Sequence, residues 1–143
     1  MKKAKVLVGG TFDIIHPGHV FLLKEASKYG DVIVVVARDS TVKRIKGRSP
    51  VFDERHRLLL VNSIKYVKKA ILGKESNDIL EIVEELKPDI IVLGPDQKLE
   101  DAISKRFPHI KVIKLDRKID FGGLYSSSDV IKKILKIYTA KEL

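Results

Sequence analysis

The chain has 143 residues, 44% of them hydrophobic, a size at which one domain buries roughly 68 to 70% of the surface its unfolded chain exposes; a single domain over residues 1–138 with a frayed tail at 139–143 is expected. Its longest apolar run, residues 32–37, has six members where a membrane helix takes about 20, and the three apolar residues at 6–8 are too few for a secretory signal. The absence of cysteine excludes disulfides, thiolate metal sites and a Cys nucleophile and fits a cytoplasmic protein, while 28 Lys+Arg against 19 Asp+Glu leave a net charge of +9 that draws anionic partners.

In chain order, the first element is a strand at residues 5–9 that ends in the pair Gly9-Gly10. A helix opens at Pro17-Gly18 and carries Val20, Leu22, Leu23, Ala26 and Tyr29 along one stripe as far as residue 29. Glycines at a strand end let backbone N–H groups approach a phosphate, and a helix N-terminus adds partial positive charge. Proline suits the first turn, because the N–H it lacks has no partner there. Three residues apart across that turn, His16 and His19 can face one anion. A Gly-rich turn with two surface histidines is also an ordinary α/β device, so the pair alone does not decide. Zinc would want a third protein ligand, and only Asp13 lies nearby; no metal ligand is assigned to a side chain.

A second strand at 32–37 leads into residues 38–50, read as a charged loop with Arg38, Lys43, Arg44, Lys46 and Arg48 against Asp39. For Lys43 and Arg44 a solvated surface suffices. Lys46, beside Gly47, sits on a loop able to fold over an anionic ligand and shield it from water. A helix at 53–67 follows, with Leu58, Leu59, Val61, Asn62 and Ile64 along one side; Asp53 and Glu54 complement its dipole, and His56 faces solvent. A strand at 70–72 precedes a helix from Asp78, where Asp78 and Glu81 are spaced like a capping box and Pro88 is the stop. Strands at 90–93 and 111–115 and a last helix at 127–138 complete the order. This alternation implies an α/β, Rossmann-like domain: a five-stranded parallel sheet with helices on both faces and a ligand across the carboxyl ends of the strands. Walker A and G-x-S-x-G patterns are both absent, which excludes P-loop and serine-elbow chemistry.

The string Gly10-Thr11-Phe12-Asp13-x-x-His16-x-Gly18-His19 resembles the signature of the cytidylyltransferase-like branch of the nucleotidyltransferase superfamily. Residues 37–47 (ARDSTVKRIKG), 53–61 (DERHRLLLV), 92–97 (VLGPDQ) and 126–131 (SSSDVI) are similar to its later motifs, so the resemblance spans nearly the whole chain. It implies that Thr11, Phe12, His16, Pro17, Gly18 and His19 hold a nucleoside triphosphate, with the histidines at the α-phosphate. It further implies Lys46 and Arg117 on the β- and γ-phosphates, Asp96 on base or ribose, and Tyr125, Ser126, Ser127 and Ser128 where the last helix opens on the phosphates. The catalytic residues so implied are His16, His19 and Lys46. Asp13 and Arg57 match motif positions expected beside the acceptor, and Phe121 and Leu124, next to Gly122-Gly123, offer apolar surface to a flat acceptor ring.

Within that branch, VARD, VKRIKGR and VLGPDQ are most similar to the archaeal-type FAD synthetases, which adenylylate FMN. Compared members carry cysteines before the last helix, where this chain has Gly122, Gly123 and Tyr125. The resemblance implies transfer of AMP from ATP, accompanied by a divalent metal ion such as Mg²⁺, to FMN. The partners are then ATP and FMN, without nucleic acid or membrane, and a homodimer follows by analogy. The enzymatic alternative is a cytidylyltransferase acting on glycerol 3-phosphate or a related sugar or polyol phosphate. A non-catalytic nucleotide- or RNA-binding module is the distant one; single-strand binders want aromatic platforms, and here four Tyr and five Phe are scattered.

Overall fold

The computed structural model describes residues 3–116 and 126–139. In chain order the elements are β1 (Lys5–Gly10), α1 (Pro17–Ser27), β2 (Asp31–Val36), α2 (Asp39–Lys46), α3 (Glu54–Asn62), β3 (Lys69–Leu72), α4 (Glu81–Leu86), β4 (Ile90–Leu93), α5 (Glu100–Arg106), β5 (Lys111–Lys114) and α6 (Ser127–Thr139). The five strands are all parallel, in the order β3-β2-β1-β4-β5. The strand order therefore reverses between β1 and β4. Such a reversal opens a crevice beyond the carboxyl ends of those strands, where Gly10 and Gly94 lie.

Side chains alternate across a strand, so each strand feeds two cores. Val6, Val8, Val32, Val34, Val36 and Val92 are fully buried on one face, with Leu23 and Ala26 of α1 and Val61 of α3. Leu7, Val35, Ile91 and Leu93 face the other way, with Ile82 and Val83 of α4 and Ile103 of α5. β-Branched residues suit a sheet covered on both faces, and each such burial contributes roughly 1.5 to 3 kcal/mol.

The elements differ from the sequence reading in several places, each with a physical cause. Residues 38–50 are not a loop throughout, because α2 occupies Asp39–Lys46 with Thr41 and Val42 turned inward. Helix α5 lies between the fourth and fifth strands, where only Ile103 is buried. The helix expected at 53–67 stops at Asn62: its side chain accepts from Ala70 N–H at 2.8 Å and donates to Ala70 O at 3.3 Å, fastening the helix end to β3. Helix α4 opens at Glu81, not Asp78; no side chain caps it, and the Asp78 carboxylate takes Leu80 N–H and Arg106 instead. The α1 stripe is narrower than its pattern, since Val20 and Tyr29 are exposed while Leu23 and Ala26 are fully buried. At the other end α6 includes Thr139, one residue further than expected.

Candidate active site

The turn from β1 into α1 is tight enough to place Phe12 (φ 54°) and Ile14 (φ 52°) in the left-handed region. Such residues cost on the order of 1 to 3 kcal/mol, offset here by the Phe12 ring, which is 3% exposed and packed in the core under α1. That ring lies over Gly10, where a Cβ would come within 2.9 Å of Phe12 Cε2. Gly10 is thus a requirement of close approach.

His16 is the N-cap of α1. Its Nδ1 accepts from Gly18 N–H at 3.1 Å, and His19 Nδ1 accepts from His16 N–H at 3.2 Å, a capping box built from two imidazoles. The rings lie 3.8 Å apart between centroids, tilted by 31°. With both Nδ1 atoms accepting, the proton of each neutral ring sits on Nε2. Burial holds His19 down to about 3, with His16 and Lys46 adding to the depression. Burial also lowers His16, against the opposing charge of Asp129. At neutral pH the pair presents two uncharged Nε2–H donors.

These donors belong to a cleft of about 560 Å³ whose lining includes Thr11, Phe12, Asp13, His16, Gly18, His19, Lys46, Asp96, Ser126 and Ser127. The N-termini of α1 and α6 both meet it, and each brings partial positive charge. Ser126 Oγ accepts from Asp129 N–H at 3.2 Å. The Ser127 hydroxyl donates to the Asp13 carbonyl and so ties α6 to the β1–α1 turn. Ser128 is exposed, accepts from Arg48 at 3.3 Å and is not in the lining; Pro17 is not either. Lys46 ends α2 against the left-handed Gly47 (φ 72°), whose N–H closes the helix on Lys43 O. Partial desolvation and Arg48 push its ammonium below the usual lysine value, with Asp13 opposing.

Asp13 and Arg57 do not present polar atoms to an acceptor. The Asp13 carboxylate, 2% exposed, accepts from Val51 N–H at 2.7 Å and Phe52 N–H at 2.9 Å. Arg57 is fully buried and donates to Phe52 O at 2.9 Å, Thr11 O at 2.7 Å and Asp39 Oδ1 at 2.7 Å. Buried charges are tolerated when paired and hydrogen-bonded in this way, and here they lock the signature turn to α2 and α3. Glu54 extends the lock by accepting from Asp39 N–H at 3.0 Å and Arg38 at 3.2 Å. His56 is exposed and stacks on Phe52.

Gln97 carries a role that the motif reading passed over. Its side chain accepts from Gly94 N–H at 2.9 Å and donates to Gly9 O at 3.0 Å, joining the ends of β4 and β1 at the strand-order reversal. Arg117, Phe121, Leu124 and Tyr125 lie outside the described residues. Among the described residues no three His, Asp or Glu side chains gather as a metal cage.

Neutral imidazole donors, two helix N-termini and a lysine around the crevice of a parallel sheet define a nucleotide-binding α/β protein. Residues 7–133 match the model of the Cytidylyltransferase-like family, and the chain belongs to that family. A Thermoplasma volcanium protein named FAD synthase is 47% identical over 139 residues, covering 93% of this chain and 95% of its own. One of the same name from Methanobrevibacter smithii is 46% identical over 142 residues, covering 93% and 92%. The crystal structure of the lipopolysaccharide core biosynthesis protein from Thermoplasma volcanium is similar with a TM-score of 0.73 at 46% identity, over 82% of this chain and 98% of that one. A protein with unknown function from Archaeoglobus fulgidus, 21% identical, shares the fold with a TM-score of 0.64 over 78% and 89%. No helix among the described residues is long and apolar enough to cross a membrane.

Proposed function

We propose that the chain is an FAD synthase of the cytoplasm that transfers AMP from ATP to FMN. A phosphate oxygen of FMN attacks the α-phosphorus of ATP in line, the bond from that phosphorus to the bridging oxygen breaks, and pyrophosphate leaves carrying the electron pair. The attacking oxygen is already anionic, so no general base is needed. Catalysis then rests on positioning and on stabilising the charge that grows on the α-phosphate. The observation that carries the reading is the close, tilted His16–His19 pair, whose Nδ1 atoms are held by backbone N–H groups. It directs two Nε2–H donors at one phosphate without adding a cation to be desolvated.

The amides opening α6 receive further phosphate oxygens, and Lys46 at the end of α2 neutralises the leaving pyrophosphate. A divalent cation entering with ATP would offset part of the triphosphate charge; the Asp13 carboxylate is already taken by the Val51 and Phe52 amides, and Asp96 is the other carboxylate residue in the cleft lining.

Incubating the protein with Mg²⁺ and crossed pairs of ATP or CTP with FMN, glycerol 3-phosphate or phosphopantetheine tests the reading. FAD and pyrophosphate are expected from ATP with FMN, and almost nothing from CTP with glycerol 3-phosphate. CDP-glycerol without FAD would overturn the acceptor assignment.

A further inference from the structure

A second cavity, of about 240 Å³, lies on the α4 and α5 side of the sheet. It meets the nucleotide cleft above the end of β1, where Gly9, Gly10, Thr11, Ile45 and Gln97 line both. Its floor is sheet, Leu7, Val35 and Leu93, and its far wall includes Leu80 and Leu99. Cavities that enclose a whole small ligand run roughly 300 to 1,000 Å³, so this one suits an apolar fragment of a ligand whose remainder lies in the cleft. Two further observations point to an occupant. Ile45 and Ile79, both in the lining, are large apolar side chains left 63% and 44% exposed. Thr41 of α2, also in the lining and 7% exposed, has a buried hydroxyl with no hydrogen-bond partner among the described residues. A buried hydroxyl without a partner is an unfavourable state, relieved by a ligand that brings a polar edge.

We propose that this cavity seats the isoalloxazine ring of FMN, with the Thr41 hydroxyl meeting the polar edge of the ring and Ile45 and Ile79 covering its faces. The inference rests on the FAD synthase reading and deepens it. A flat ring, apolar on its faces and polar along one edge, matches largely apolar walls with a few polar groups, the unpartnered Thr41 hydroxyl among them. The ribityl chain then passes over Gly10 and Thr11, which places the flavin phosphate beside the α-phosphate subsite at His16 and His19. A polyol phosphate would leave the apolar cavity empty and the Thr41 hydroxyl unpaired.

Flavin fluorescence titrations of the full chain test this with FMN and with riboflavin, which has the ring and no phosphate, alongside ATP binding by calorimetry. Ile79→Glu changes an exposed residue and introduces a charge that the ring would desolvate. It should weaken FMN and riboflavin alike by about tenfold or more and leave ATP affinity within about twofold of the wild type. Thr41→Val keeps the shape and removes the hydroxyl; it should preserve or raise Tm while weakening FMN about five- to tenfold. Wild-type FAD synthesis together with undiminished FMN binding by both variants would overturn the cavity assignment and leave the enzyme reading intact. Absence of FAD synthesis by the wild type would overturn both.

Discussion

Two imidazoles with centroids 3.8 Å apart would repel as cations, and the fold keeps them neutral by burial and by giving each Nδ1 a backbone N–H. Capping and chemistry are therefore combined in His16, and substitutions can separate them. Asn is a good N-cap, so His16→Asn should retain stability within about 0.5 kcal/mol of the wild type in urea titrations, yet lose about 10²- to 10³-fold in kcat with the Nε2–H donor. His16→Ala should lose the same activity and about 1 kcal/mol besides; full activity in His16→Asn would end the donor assignment. Lys46→Ala should raise the KM for ATP and lower kcat, whereas Lys43→Ala, which alters an exposed side chain outside the cleft lining, should stay within about twofold of the wild type. Equal losses from the two would indicate a diffuse basic field. The histidines were legible because their whole device, cap and partner, lies within four consecutive positions. Gln97 was not, because its partner Gly9 is 88 residues away and only the sheet brings them together.

Strands and the helices with several buried apolar positions followed from pattern, since aliphatic residues on both faces of β1 and β2 leave no ambiguity about a sheet covered twice. Helices α2 and α5 did not, because α2 buries only Thr41 and Val42 and α5 only Ile103, too little for a helical period to show through the charges. What holds α2 is instead a long-range polar tie, Arg57 to Asp39, together with the glycine that closes it. Arg57→Met should thus cost about 1 to 3 kcal/mol, since two backbone carbonyls lose their donor and the part-exposed Asp39 loses its partner, with a matching fall in the urea midpoint. Because the same guanidinium holds Thr11 O, ATP binding should weaken too, although Arg57 itself is buried. A Gly10→Ala change brings a Cβ to 2.9 Å of the Phe12 ring. It should lower kcat by displacing the signature turn, with a loss of roughly 1 to 3 kcal/mol in stability.

For the molecule as a whole, the same neutral histidine has a consequence in acid. In the unfolded chain His19 titrates near 6.5, while in the native state burial holds it down to about 3. Between those values the unfolded state binds the extra proton, so stability must fall as pH drops below 6.5, by up to about 1.4 kcal/mol per pH unit for one such group. His16, shifted in the same direction, adds to the slope. The net charge of +9 supplies a second acid-side penalty, because every added proton increases self-repulsion. Salt separates the two: repulsion among surface charges is screened within about 8 to 10 Å at moderate ionic strength, whereas the cost of charging a buried ring is not. The carboxylates whose pKa values are lowered, Asp53, Asp78 and Glu100, act only nearer pH 4, so the window from pH 6.5 to 5 isolates the histidines. Urea midpoints in 0.3 M salt should therefore still decline across that window in the wild type. His19→Gln, which keeps an N3 side chain able to reach the His16 N–H as in an ordinary capping box, should show a flatter decline. Equal slopes for the two proteins would mean that His19 is not held neutral by its burial.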